Sequence, residues 1–240
     1  MKAEGGKHFL IVGGTRGLGL QLAKTARLRG DRVTLTGRDR AVAEAVAKEI
    51  DAEGVSGRGC DLTEWSSISE LFSDTGSIDH LVVTAIDRDH NPIADFRPAE
   101  SARTLLMKTV GYADLVHHAL PHFTGHSSVV LFSGLSMWRP IPGSTTISMA
   151  NAAIIALTRS LALEIAPTRV NAITPGIVVG ARADDDTDPA RSAFLNAMRE
   201  RTPTKRLPTT HDIVAATFAL TDNPAINAEN LTVDAGLRLS

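Results

Sequence analysis

Three glycines, Gly13, Gly17 and Gly19, follow the apolar run Phe9-Leu10-Ile11-Val12. They open a segment whose apolar residues Leu18, Leu22, Ala23, Ala26 and Leu28 fall near helical spacing. A strand, a glycine turn and a helix in that order offer a phosphate free backbone N–H groups and the positive end of a helix. Glycines in such a loop allow a sharp turn, close approach of backbone to pyrophosphate, and tight packing of helix on strand. The spacing is Gly-x-x-x-Gly-x-Gly rather than GxGxxG. Its position on the first strand, with a second strand–helix unit following, marks it as a dinucleotide-binding loop. The candidate contacts within it are Gly13, Thr15, Arg16, Gly17, Leu18 and Gly19.

The end of the second strand meets the adenosine ribose in such folds: an acid there binds the 2′-hydroxyl of NAD, and an arginine accommodates a 2′-phosphate. This strand ends Thr34-Leu35-Thr36-Gly37-Arg38-Asp39, with no acid at its tip. Arg38 and Arg16 are two guanidinium forks around one site, which suits a phosphate dianion and favours NADP(H). Asp39 is placed to pair with Arg38. The third strand ends Cys60-Asp61-Leu62, where Asp61 is positioned either to accept from the adenine amino group or to cap the helix from Glu64.

Other constellations carry less. His118 and His122 have the i, i+4 spacing of a metal pair, with His117 beside them, but Pro121 intervenes and ends the helix, so no metal is expected. Phe132-Ser133-Gly134-Leu135-Ser136 lacks the Gly-x-Ser-x-Gly of a hydrolase elbow. The acidic group Asp184, Asp185, Asp186 and Asp188 has no EF-hand spacing and reads as a solvated loop.

The elements that must position these groups alternate. Strand-like runs at 9–12, 32–36, 55–60, 80–84, 128–132, 169–174 and 231–234 are separated by helical ones at 17–29, 40–52, 65–73, 100–118, 145–164 and 210–220. This alternation predicts a doubly wound α/β fold of Rossmann type, about seven parallel strands with helices on both faces. No linker divides residues 1–240, so the chain reads as a single domain. The stretch from Ile177 to Arg206 breaks the rhythm and reads as a lid or substrate loop. A net charge of −2 gives no reason to expect nucleic acid or an anionic membrane as partner. No stretch approaches the roughly 20 apolar residues of a membrane span. One cysteine and a polar start imply a cytoplasmic-type protein.

Together the glycine loop, Gly37-Arg38, Asp61-Leu62, the run Arg159 to Gly176 and Val233-Asp234-Ala235-Gly236 resemble the short-chain dehydrogenase/reductase family over essentially the whole chain. The resemblance implies a seven-stranded sheet, cofactor contacts from Leu62, Thr84 and Ala85, and nicotinamide near Pro175, Gly176 and Val178. It also implies a homodimer or homotetramer built on the helices at 100–118 and 145–164 and on the last strand. The family's chemistry is hydride transfer assisted by Ser, Tyr and Lys, with an Asn in support; the Lys lowers the phenol's pKa. Here Ile147 stands at the Tyr position, Asn151 at the Lys position, Gly134 at the Ser position and Lys108 at the Asn position, three residues before Gly111. The one tyrosine in the chain is Tyr112.

Isoleucine has no proton to give, and Asn151 can bond a ribose hydroxyl but brings no charge. The candidates to supply the chemistry are Lys108, read as a partly desolvated lysine aimed at the nicotinamide pocket, and the hydroxyls of Ser133 and Ser136. The sequence thus supports an atypical NADP(H)-dependent oxidoreductase acting on a small carbonyl, alcohol or activated double bond. The alternative is a non-catalytic NADP(H)-binding sensor or scaffold; a cofactor-retaining lyase or isomerase with Lys108 as base is a third reading.

Overall fold

The computed structural model describes residues 6–87, 90–181 and 188–240. Its seven strands are His8–Val12 (β1), Arg32–Gly37 (β2), Val55–Gly59 (β3), Ile78–Val83 (β4), Phe123–Phe132 (β5), Arg169–Pro175 (β6) and Asn230–Val233 (β7). They form one sheet in the order β3-β2-β1-β4-β5-β6-β7, every pairing parallel. Both faces are covered, which is why β1 is apolar from Phe9 to Val12. One core packs Leu22, Ala26, Ala43, Ile213 and Phe218, from the helices Gly17–Leu28 (α1), Arg40–Asp51 (α2) and Thr210–Asp222 (α8), on the sheet. The other packs Ile68, Leu115 and Ile154, from Trp65–Phe72 (α3), Val110–Ala119 (α5) and Thr145–Glu164 (α6). The strand order reverses between β1 and β4, and the carboxyl ends at such a switch point are where open α/β sheets bind ligands.

Three departures from the sequence reading bear on the site. The stretch read as one helix over 100–118 is two, Pro98–Lys108 (α4) and α5. At the junction the Thr109 hydroxyl donates to Leu105 O at 2.6 Å, competing for a helix carbonyl, and ψ falls to −77°. Lys108 is therefore the last residue of α4. The segment read as a lid contains a 13-residue helix, Pro189–Arg201 (α7), whose N-cap Asp188 accepts from Ala190 N; Asp184, Asp185 and Asp186 lie outside the described residues. Finally, α6 is long and apolar enough, by length and composition, to cross a membrane, contrary to the reading that no stretch approaches this; here Ala150, Ile154 and Leu161 are buried in the core.

Candidate functional site

A cavity of about 810 Å³ opens at the switch point. Its floor is the turn leaving β1. Gly13 has φ +89°, and a Cβ there would lie 2.7 Å from Ala85 N; a Cβ on Gly19 would lie 2.2 Å from Gly13 O. Both positions exclude a side chain because two backbone segments and the start of α1 meet there. Thr84 ties them, its hydroxyl donating to Gly13 O at 3.0 Å. Thr15, Arg16, Gly17 and Leu18 also line the cavity, with Asp61, Leu62, Thr84 and Ala85 on the far wall. Gly180 and Ala181 close one side; Ala181 O would stand 3.0 Å from a Cβ on Gly17. This bare-backbone cradle at a helix N-terminus fits the diphosphate of a dinucleotide.

At the β2 end, Arg38 and Arg16 line the cavity beside Gly37, and two residues the sequence did not single out join them. Arg38 Nη1 lies 3.8 Å from Asp87 Oδ2, and Arg103 of α4 bridges Asp87 and Asp61 at 3.7 and 3.5 Å. Asp39 does not take Arg38: its carboxylate caps α2, accepting from Ala41 N at 2.8 Å and from Val42 N. Nor does Asp61 cap α3. It forms a local turn, accepting from the N–H and hydroxyl of Thr63 at 2.9 and 2.7 Å. Partial burial pushes the Asp61 carboxyl up, but the Thr63 bonds and the Arg103 and Arg38 charges outweigh it and hold it below the usual carboxylate value. Cys60 lines the cavity as an inert thiol, pushed up to about 12 by burial.

The remaining candidates sit at the other end, where β5 and β6 deliver their loops. Lys108 is 1% exposed and does not line the cavity, whereas its neighbour Met107 does. Its ammonium reaches across from α4 to α6 and donates to Asn151 Oδ1 at 2.5 Å, with Ser133 O at 3.5 Å. Asn151 Nδ2 in turn donates to Ser136 Oγ at 2.9 Å. The Ser133 hydroxyl donates back to Asn151 O at 2.8 Å, tying the loop after β5 to the helix. Gly134 provides the room for this arrangement: a Cβ there would stand 2.6 Å from Asn151 Nδ2. Lys108, expected to point at an open pocket, is thus held in a helix–helix junction as the first member of an ammonium–amide–hydroxyl chain. Ile147 lies one turn before Asn151 on α6.

Pro175, Gly176 and Val178 do not line the cavity. Gly176 packs on β7, where its N–H bonds Val233 O, and Val178 is buried. A second depression of about 440 Å³ is walled by Pro92, Ile93, Pro140, Ile141, Ser144 and Ser148, against the start of α6. Tyr112 is fully buried and donates to Ala85 O at 2.7 Å; burial pushes its phenol up, out of acid–base range. His118 and His122 pack around the Phe72 ring, and among the described residues no cluster of metal-ligating side chains forms.

Comparison with known proteins agrees with this geometry. The family model described as enoyl-(acyl carrier protein) reductase matches residues 12–238. Tropinone reductase-like 3 of Erythroxylum coca is 30% identical over 244 residues, spanning 96% of this chain and 93% of that protein. A short-chain dehydrogenase/reductase of Brucella melitensis, described as a glucose/ribitol dehydrogenase, superposes with a TM-score of 0.89 at 25% identity, covering 99% of each chain. A small-chain dehydrogenase solved in complex with NADPH gives a TM-score of 0.80 at 26% identity, over 98% of this chain and 100% of that one.

Proposed function

The chain belongs to the short-chain dehydrogenase/reductase family, and from that premise we propose that it is an atypical NADP(H)-dependent oxidoreductase with a substituted catalytic tetrad. In this reading the bound nicotinamide supplies the hydride chemistry, exchanged with a carbonyl carbon or an activated double bond of a small substrate. The observation that carries the cofactor half is the bare-backbone cradle lined by Arg16 and Arg38. Similarity to a dehydrogenase solved with NADPH supports the same choice.

For the chemical half, the chain from Lys108 through Asn151 to Ser136 assigns each group a task. Ser136 Oγ accepts from the Asn151 amide, so its own O–H is left to donate elsewhere, to a substrate oxygen as negative charge develops on it. Lys108, behind the amide, fixes Asn151 and brings a positive charge without contacting solvent. Ser133 holds the loop through its bond to Asn151 O. Hydride transfer tolerates the loss of a strong acid, because general acid–base help contributes about 10²–10⁴-fold. The apolar depression at Ile93 and Ile141 is the candidate seat for the substrate's nonpolar part.

The burial of Lys108 favours one other reading, a non-catalytic NADP(H)-binding sensor or scaffold. Consumption of NADPH against a panel of ketones, aldehydes and enones separates the two. Turnover is expected, with Ser136→Ala lowering kcat by about tenfold or more while NADPH affinity is retained. Tight NADPH binding without consumption of any substrate favours the sensor. We also infer a cytoplasmic homodimer or homotetramer; exposed Val110, Met149 and Leu163 on α5 and α6 support a helix-face contact.

A further inference from the structure

Arg103 has no place in the sequence argument, yet its guanidinium is one of two that converge on a single oxygen. Arg38 Nη1 and Arg103 Nε lie 3.8 and 3.7 Å from the same Asp87 Oδ2. These separations exceed hydrogen-bond length, and the Arg38, Arg103 and Asp87 side chains are 62, 49 and 38% exposed. Ion pairs of that kind are weak and screened, so they are easily exchanged. One carboxylate oxygen does not satisfy two planar forks; a phosphate dianion offers each fork a pair of oxygens. Asp61 Oδ2, 3.5 Å from Arg103 Nη2, keeps that guanidinium in the cavity when Asp87 lets go.

We propose that Arg103 and Arg38 form a clamp for the 2′-phosphate of NADP(H), and that Asp87 is an internal anion occupying the clamp until that phosphate displaces it. The proposal rests on the NADP(H) reading above and adds to its Arg16 and Arg38 a third arginine and a built-in competitor. An acid near the ribose otherwise serves NAD, by accepting from the 2′-hydroxyl. Here the acid following β2, Asp39, is committed to capping α2, and Asp87 is shared by two guanidinium groups. Neither is placed as a lone ribose acceptor. Asp87 then acts against the phosphate-bearing cofactor instead of for its lighter relative, and removing its charge improves NADPH binding.

The test is titration of the full chain and its variants with NADPH and with NADH, followed by nicotinamide fluorescence and calorimetry in phosphate-free buffer. Arg103→Gln is expected to weaken NADPH about tenfold and NADH less than about twofold, and Arg103→Lys, which keeps the charge but not the fork, to fall between. Asp87→Asn is expected to tighten NADPH about threefold or more with NADH unchanged, and that gain to shrink in the double variant with Arg103→Gln. An unchanged NADPH-to-NADH ratio in Arg103→Gln or Asp87→Asn overturns the clamp. Loss of NADH affinity in Asp87→Asn overturns it in favour of a ribose acceptor. The unmodified protein's own ratio tests the NADP(H) reading separately: equal affinity for both cofactors removes that reading and the clamp with it. The changed side chains are on the surface, and melting curves of each variant establish that the fold is kept.

Discussion

The two ends of the sheet's carboxyl edge are built on opposite terms. At the β1–β2 end, backbone shape makes the cradle, and the charged groups around it are half-exposed and loosely paired, as Arg38 and Arg103 are with Asp87. At the β5–β6 end, Lys108, Asn151 and Ser133 are 1, 3 and 6% exposed and bonded to one another at 2.5 and 2.8 Å. One end is an open cavity; the other has closed on itself. The contrast sets the candidate cofactor cradle, made by backbone, apart from the candidate acid–base groups, made by side chains. The first depends on where glycines let two backbone segments approach. The second depends on a few side chains that bond to one another.

The largest effect that tests this separation lies at Gly19. In Gly19→Ala the new Cβ falls 2.2 Å from Gly13 O and 2.7 Å from the Thr84 hydroxyl. The first neighbour is backbone and cannot swing aside, so the loop must move. NADPH affinity is expected to drop more than about hundredfold, and stability by about 2 kcal/mol from overpacking. Fluorescence titration and chemical denaturation read the two. Retained binding would mean that the cradle's backbone is not what holds the cofactor, and the contrast between the ends would fail at its stronger side.

A smaller effect is expected from Asn151→Leu, which keeps the side-chain volume but removes the acceptor for the Lys108 ammonium and the donor to Ser136. The loss of a buried hydrogen bond to a charged group costs about 2 kcal/mol of folding stability. NADPH affinity is expected to change by less than about threefold, because both functions of the amide are already used within the protein. Urea denaturation beside the same titration checks both halves. A fall in affinity as deep as that of Gly19→Ala would make the two ends one site.

What the sequence made legible follows the same division. The glycine loop and the strands around it are local patterns: an apolar run, a turn and an amphipathic helix, each contiguous in the chain. Arg16 and Arg38 were visible because both follow directly from those elements. Arg103 and Asp87 were not, since only the packing of α4 beside the loop after β4 brings them to Arg38. The helix α7 was missed for a different reason. Leu195 is its single buried residue, so it carries no apolar stripe to read. The direction of Lys108 depended on where α4 stops, and that is set by a hydroxyl of Thr109 turning back on Leu105 O. Gly134 read as an empty serine position; the structure shows it as the space an asparagine amide fills.

Tyr112 offers the finest test, because a family that works through a tyrosine invites its use as a displaced acid. The geometry assigns it elsewhere. Its ring is part of the core beneath β4 with Leu81, Val83 and Leu115, and it is wholly shielded from solvent. Its hydroxyl donates to Ala85 O, 2.7 Å away, in the loop that forms the cavity wall beside Gly13. Burial pushes the phenol above its ordinary value, so across the neutral range it stays protonated and cannot act as a base. As an acid it would have to break its one short bond and take from the partly buried Ala85 carbonyl the donor it holds. Tyr112→Phe is therefore expected to cost about 1 kcal/mol of stability and to loosen NADPH slightly, through Ala85. The pH profile of any turnover should stay where it was in the unmodified protein. A turnover rate that collapses in Tyr112→Phe while the cofactor still binds would place the acid on α5, and the closed chain from Lys108 to Ser136 would then be packing alone.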